Sequence, residues 1–145
     1  MERGKLCYYI SAYFYIFILQ AVLSLIVNSA TLYQTSYHGV KIPLGWRDYA
    51  GWTIFFAGFI MEWMSDRQLT KHIENPDPNK GKFCKSGFWR YSRHPNYFGE
   101  AMLWWGLFLT TCSLPKGYYY IFSPLVITLL LRYVSGVALL ERKQR

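Results

Sequence analysis

Residues 6–27, LCYYISAYFYIFILQAVLSLIV, contain no charged side chain over 22 positions. A helix of this length measures about 33 Å at about 1.5 Å per residue, which is enough to cross the hydrocarbon core of a bilayer. The alternative is a cleaved signal peptide, for which Val27-Asn28-Ser29 would be a passable cleavage site. The apolar stretch is longer than that of a signal peptide and is dense in Tyr and Phe, which favours a retained transmembrane helix.

Three further apolar blocks follow, at residues 49–64, 95–114 and 118–140. Trp and Tyr crowd the ends of these blocks, as they do where helices meet the membrane surface. The chain has 145 residues, of which 52% are hydrophobic and 17% charged, so it has the length of one domain and the composition of a membrane protein. We therefore predict an all-α fold, a multispanning transmembrane bundle of about four helices that forms a single membrane domain over residues 1–145.

The basic residues are distributed unevenly along the chain. Four spans would bring both termini and the polar loop of residues 66–94 to the same side of the membrane, together with twelve of the 16 Lys and Arg residues. The opposite side holds Lys41, Arg47 and Lys116, and Arg132 lies inside the last block. By the positive-inside rule the loop and termini are cytoplasmic. This topology accounts for most of the net charge of +8 without a nucleic-acid partner.

The three cysteines, Cys7, Cys84 and Cys112, are far apart in the sequence. No CxxC pair and no Cys/His cluster accompanies them. We therefore predict neither a disulfide framework nor a metal site.

The end of the polar loop carries the strongest chemical signal, GFWRYSRHPNYFGE at residues 87–100. Pro95 suits the first turn of a helix, because the N–H that proline lacks would have no helical acceptor there. A helix start presents free N–H groups and the positive end of the helix dipole. Arg90, Arg93 and His94 cluster at the same point, so the sequence predicts an anion-binding site.

Beyond the helix start, Asn96 and Glu100 are four residues apart and share a face, which Tyr97 borders. Gly99 and Gly106 would allow close approach of a neighbouring helix or a flat ligand. An ionisable residue within a span is a functional candidate, which applies to Glu100 and to Arg132. For Arg132 we weigh two interpretations, a pair with an acid or a ligand phosphate, and snorkelling to the membrane surface.

The block Arg93-His94-Pro95-Asn96-Tyr97-Phe98-Gly99-Glu100, with Leu103-Trp104-Trp105-Gly106 after it, resembles the signature of the steroid 5-alpha-reductase-like superfamily. The similarity is to its uncharacterised branch of multispanning membrane proteins and covers about residues 50–142. Further pieces agree in their order: Ser65-Asp66-Arg67-Gln68, Gly81-Lys82-Phe83-Cys84, Gly87-Phe88-Trp89-Arg90-Tyr91-Ser92, Ser135-Gly136-Val137 and Leu139-Leu140-Glu141.

The resemblance implies a membrane oxidoreductase that uses NADPH to reduce a carbon–carbon double bond of a lipid or sterol. It implies that Asp66 and Arg67 contact the nucleotide end of the cofactor. It assigns the phosphates to Arg90, Arg93 and His94, and the nicotinamide end to Asn96, Tyr97 and Glu100. Catalytic residues are not assigned. The expected location is an integral, multi-pass one, in the endoplasmic reticulum if the cell is eukaryotic.

Two other functions stay open at this point. Members of the superfamily carry helices upstream that supply much of the active site, whereas here only residues 6–27 and a short loop precede the matched region, so an incomplete, non-catalytic membrane protein is one alternative. The other is a membrane methyltransferase that uses S-adenosylmethionine, because such enzymes carry a related Arg-His-Pro-x-Tyr block. Asn96 favours the reductases, as does Arg142, which stands where the methyltransferases have a second acid. Membrane lipid is an expected partner, and a homo-oligomer stays open.

Overall fold

The computed structural model describes residues 2–37, 39, 41–75 and 84–135, with the side chains of residues 11–37, 39, 41–75 and 84–133. Four α-helices make up most of this part: α1, Glu2–Ser36; α2, Trp46–Glu74; α3, Pro95–Thr111; and α4, Phe122–Leu129. Short 3₁₀ turns occupy Gly87–Arg90 and Gly117–Ile121, and a π-helical turn, Leu130–Ser135, continues α4. The described residues contain no strand, which confirms the predicted all-α class and the number of helices.

Two helices extend beyond their apolar blocks. α1 continues past residue 27 to Ser36, and α2 continues through polar residues to Glu74. The prediction of a loop starting at Asp66 was therefore wrong for residues 66–74. No Gly or Pro interrupts residues 66–74, so nothing in that stretch breaks a helix. Its polar side chains mark the end of the membrane-facing surface, while the helix itself continues. α2 ends at Asn75, whose N–H donates to the carbonyl of Lys71, one residue before Pro76. α3 begins at Pro95 as predicted.

Paired glycines hold α2 and α3 together in antiparallel contact. Gly58 faces Gly99 and Gly51 faces Gly106, so each helix carries two glycines seven residues apart. A Cβ added to Gly99 would lie 2.7 Å from the backbone nitrogen of Glu62, and one added to Gly106 would lie 2.6 Å from that of Phe55. The backbones therefore touch at two levels, two helical turns apart. The surface at Gly99 and Gly106 is occupied by a helix and not by a flat ligand.

Polar side chains join α1 and α4 to the structure. The Gln34 amide on α1 contacts the Leu107 carbonyl at 3.0 Å and the hydroxyls of Thr110 and Thr111 at 2.7 Å each. The buried Ser123 hydroxyl at the start of α4 donates to the carbonyl of Val27. Further along, Trp105 Nε1 donates to the Thr128 hydroxyl at 3.3 Å.

These contacts define two ends of the bundle. At the first, α1 ends, α2 begins, α3 ends and α4 begins, and five tyrosines gather there; we refer to it as the tyrosine end. Its tyrosines are Tyr33, Tyr37, Tyr118, Tyr119 and Tyr120. At the second, α2 ends, α3 begins and α4 passes into the π turn. We refer to this second end as the groove end, because a groove opens there.

The outer surface of the bundle is strongly apolar. Within α1, the stretch Ser11–Ser36 is long and apolar enough to cross a membrane, and it is the one helix of the described residues that meets both conditions. Its aromatic side chains are open to the surroundings, Tyr15 being 77% exposed. α2 likewise exposes Trp52, Phe56 and Phe59. Apolar side chains turned outward at this density are what a lipid-facing surface requires, which supports association with a membrane.

Candidate functional site

An open groove of about 290 Å³ lies between the start of α3 and the end of α4. Its lining combines three cationic or ionisable nitrogen side chains, three hydroxyls and three apolar side chains. These residues are Ser92, Arg93, His94, Tyr97, Phe98, Ala101, Thr128, Leu131 and Arg132. None of these lining residues is acidic.

The start of α3 is built around Pro95, which is buried in the first turn, with His94 as the N-cap residue. The His94 N–H donates to the Ser92 hydroxyl at 3.2 Å, and the His94 ring stacks on the Tyr97 ring at 5.6 Å. The Phe98 N–H donates to the His94 carbonyl, so the N–H groups of Asn96 and Tyr97 precede the helical ladder. The predicted helix start thus opens into the groove beside Arg93 and His94.

Arg132 reaches the same groove from the other side. It lies in the π turn, and Thr128, Leu131 and Arg132 share one face because they are three and four residues apart. Its guanidinium carbon lies 5.6 Å from the centre of the Tyr133 ring. Two arginines that are 39 positions apart in the sequence therefore line one cavity.

Arg90 and Arg67 lie outside the residues that line the groove. Arg90 ends the 3₁₀ turn and is exposed. Arg67 is an exposed residue of α2, and its guanidinium carbon lies 5.0 Å from the centre of the Trp63 ring. Both arginines nevertheless belong to the groove end of the bundle, so they add to its positive potential.

Asn96 and Glu100 lie on the face of α3 that packs against α2. Glu62 and Asp66 of α2 and Glu100 of α3 are all within electrostatic range of one another. Asp66 and Glu100 thus belong to one polar surface, although the resemblance assigns them to opposite ends of the cofactor. The Oδ1 atom of Asn96 is buried and has no hydrogen-bond partner in the described part of the chain. Within that same part, no group of three His, Cys, Asp or Glu residues could hold a metal ion.

Sequence reasoning missed the contacts that fix the approach to α3. The Phe88 N–H donates to Gln68 Oε1 at 3.1 Å, and Trp89 Nε1 donates to the carbonyl of Ser65, a fully buried residue, at 2.9 Å. Gly87 has a φ of +57° and packs against the Gln68 side chain, where a Cβ would collide. The 3₁₀ turn is thereby attached to the last turns of α2. The sequence analysis noted that residues 65–68 and 87–92 follow one another in the expected order. That order does not indicate that the two segments are in contact.

Comparison with known proteins defines the family but not an activity. The family described as protein of unknown function (DUF1295) matches residues 2–145. An uncharacterized protein of Schizosaccharomyces pombe is 30% identical over an alignment of 122 residues, and the match covers 72% of this chain and 35% of the yeast protein. The chain thus spans about a third of the length of that relative. No solved structure matches. The chain belongs to the DUF1295 family.

Proposed function

We propose that this protein acts as an NADPH-dependent membrane reductase of a lipid or sterol carbon–carbon double bond, within the steroid 5-alpha-reductase-like superfamily. One observation carries the proposal: the start of α3 opens into a groove beside Arg93 and His94. N–H groups at a helix start and an arginine are the groups that bind phosphate in many proteins. NADPH carries several phosphate charges, whereas S-adenosylmethionine has no phosphate and carries a cationic sulfur. The groove therefore favours NADPH.

The residues beside the groove suit the rest of the cofactor. Tyr97 lines the groove, and Asn96 and Glu100 lie on the adjacent face of α3. The Asn96 oxygen, which has no hydrogen-bond partner among the described residues, is an acceptor that a carboxamide could use. NADPH, when bound, supplies the hydride. The protein side chains would hold its phosphates at the groove and orient its nicotinamide along α3, with Asp66, Arg67 and Arg90 contributing from the same end.

The membrane arrangement belongs to the same proposal. The four apolar blocks of the sequence, residues 6–27, 49–64, 95–114 and 118–140, form the membrane spans, the groove end faces the cytoplasm, and in a eukaryotic cell the membrane is that of the endoplasmic reticulum. The support is the excess of Lys and Arg on that side and the apolar outer surface. The substrate is a lipid or sterol, which would enter from the bilayer.

Cysteine labelling tests the topology. Ser86 is exposed at the groove end, so a Ser86→Cys variant in which the three native cysteines are replaced by Ala gives a single accessible thiol. In sealed vesicles, a membrane-impermeant maleimide should label it from the cytoplasmic side. Labelling from the opposite side alone would contradict the proposed orientation.

Binding of NADPH to purified protein in detergent micelles tests the activity class. We expect fluorescence titration to give saturable binding, stronger than that of NADH or S-adenosylmethionine. Arg93→Ala should weaken NADPH binding about tenfold to a hundredfold, because it removes a charge-assisted contact to phosphate. Arg47→Ala is the control, since this arginine lies at the tyrosine end. Binding of S-adenosylmethionine without NADPH would support the methyltransferase instead, and binding of neither would support a non-catalytic protein.

A further inference from the structure

We infer that the first half of α1 is a contact surface for a second copy of this chain, with the Gln20 amides of the two copies hydrogen-bonded to each other inside the membrane. The inference goes beyond the proposed function, because it assigns an interaction surface and a partner and involves no cofactor. It requires only that α1 lies in a membrane, which its length and apolar composition support.

The two halves of α1 differ in what covers them. In the second half, Val27 is 6% exposed, Ala30 is 2% exposed, and the Gln34 amide contacts the Leu107 carbonyl of α3. In the first half, every residue from 13 to 22 is exposed. The first half of α1 is therefore uncovered by the described bundle, and its side chains meet the surrounding membrane or another protein in it.

A seam with the spacing of a coiled coil runs along this uncovered half. Its members are Tyr13, Phe17, Gln20 and Ser24, and all four are exposed. Intervals of four, three and four residues place them on one face of the helix, as in the seam of a left-handed helix pair. Val27 continues the same spacing and is buried in the bundle. The face thus packs against neighbouring helices at one end and is free of them at the other.

Gln20 is the member of the seam that requires a partner. It lies seven residues before Val27, so about 10 Å of helix separates it from the nearer end of the charge-free stretch. Lipid tails offer no hydrogen bond to an amide at that depth, which favours bonding to another helix. Within the part of the chain that the structure describes, no hydrogen bond holds the Gln20 side chain. The other polar member, Ser24, already accepts from Asn28 at 3.4 Å.

The chemistry of the amide and the geometry of a membrane together favour a second copy as the partner. A primary amide is both a donor and an acceptor, so two of them satisfy each other. Copies with the same topology have parallel α1 helices, which places Gln20 of each copy at the same depth. A two-fold axis along the membrane normal then brings the seam of one copy against the same seam of the other. Any other partner would need its own polar group at that depth.

Cysteine cross-linking maps the contact. In a chain whose three native cysteines are replaced by Ala, Phe17→Cys and Ser24→Cys each place one thiol in the seam and keep Gln20. Oxidation in liposomes should give covalent dimers of both, because facing seam positions lie within disulfide reach. Ile18→Cys and Val22→Cys are matched controls, since both side chains are exposed on the opposite face of α1, and they should stay monomeric.

The pattern of cross-links decides the partner. Equal cross-linking of seam and control positions, or none at any position, would overturn the inference. The same seam variants oxidised in cell membranes should give the same dimer. Cross-linking there to a different protein alone would assign the surface to that protein and overturn the second copy.

Gln20→Leu tests the hydrogen bond itself. Energy transfer between labelled copies in liposomes, followed over a range of protein-to-lipid ratios, should show association weakened about threefold to thirtyfold, as for other side-chain hydrogen bonds between membrane helices. Gln20→Asn keeps the amide and should retain most of the association, and Val22→Leu should retain all of it. The free energy of unfolding of Gln20→Leu should not fall, which separates lost association from lost folding. Association of Gln20→Leu equal to that of the unmodified chain would contradict the paired amides.

Discussion

The two ends of the bundle differ in what their polar side chains surround. At the tyrosine end, side chains of α1 donate to main-chain carbonyls elsewhere in the bundle: Gln34 to Leu107 of α3, and the Tyr33 hydroxyl to Pro115 in the turn after α3. At the groove end, arginines line an open cavity. Within the described part of the chain, the buried Asn96 oxygen at this end and the Ser113 hydroxyl at the tyrosine end both lack a hydrogen-bond partner. A buried polar atom without a hydrogen bond costs about 1–3 kcal/mol. Each end thus leaves one buried side-chain atom unsatisfied within the described residues, and the difference between them is that only the groove end also gathers arginines around an open groove.

The tyrosine end is closed by a tight turn, and the largest effect is expected there. Gly117 is buried and packs directly against the Thr111 carbonyl, so Gly117→Ala would place a Cβ inside that contact. We expect a loss of about 3 kcal/mol or more in the free energy of unfolding, measured by SDS titration in mixed micelles.

Gly45→Ala is the control for this variant. A Cβ at Gly45 would meet only Asp48 Oδ2, at 3.8 Å, and its backbone is extended. Its free energy of unfolding should change by less than about 1 kcal/mol. Equal losses in the two variants would show that the turn at Gly117 has no special role.

Variants of the two α3 glycines should be similar in stability but different in NADPH binding. Gly99→Ala and Gly106→Ala each force a Cβ against the backbone of α2, at 2.7 Å from Glu62 N and 2.6 Å from Phe55 N. Both should lower the free energy of unfolding by about 1–3 kcal/mol. Gly99 is one turn from the start of α3, so its variant should also weaken NADPH binding, whereas Gly106→Ala should not. Loss of NADPH affinity in both folded variants, or in neither, would contradict the placement of the cofactor at the groove end alone.

Gln34 tests the polar contacts between α1 and α3, with a smaller effect. Gln34→Leu removes the amide that contacts Leu107, Thr110 and Thr111, but the two hydroxyls still donate to the Leu107 carbonyl. We therefore expect a loss of only about 1 kcal/mol in SDS titration. Gln20→Leu is the matched control on the same helix, because Gln20 is exposed, and it should be neutral or stabilising. A greater loss in Gln20→Leu would contradict the assigned role of Gln34.

Local sequence signals predicted much of the fold. Pro95 marked the start of α3, and Gly99 and Gly106 indicated a close helix contact. Both residue types have a local effect on the backbone: proline lacks an N–H, and glycine lacks the Cβ that would keep a neighbouring helix away. The polar residues 66–74 were misinterpreted as loop, because the end of an apolar run was taken as the end of a helix.

The groove could be predicted only in part. Arg93 and His94 adjoin the helix start in the sequence, so their clustering was evident. The meeting of Arg132 with Arg93 depends on the packing of α4 against α3, through contacts such as Trp105 to Thr128. The attachment of Trp89 to Ser65 is of the same long-range kind. No local pattern encodes which faces of two helices will meet, so these features required the three-dimensional structure.

Hydrogen exchange with and without NADPH shows directly which end of the bundle holds the cofactor. The proposed site lies at the groove end of the bundle, where the N–H groups of Asn96 and Tyr97 precede the helical ladder. Saturating NADPH should slow amide exchange in peptides covering residues 92–101 and 128–132, and leave those around Gln34 and residues 110–117 unchanged. Protection at the tyrosine end, or no protection at the start of α3 while NADPH is bound, would contradict the proposed position of the cofactor.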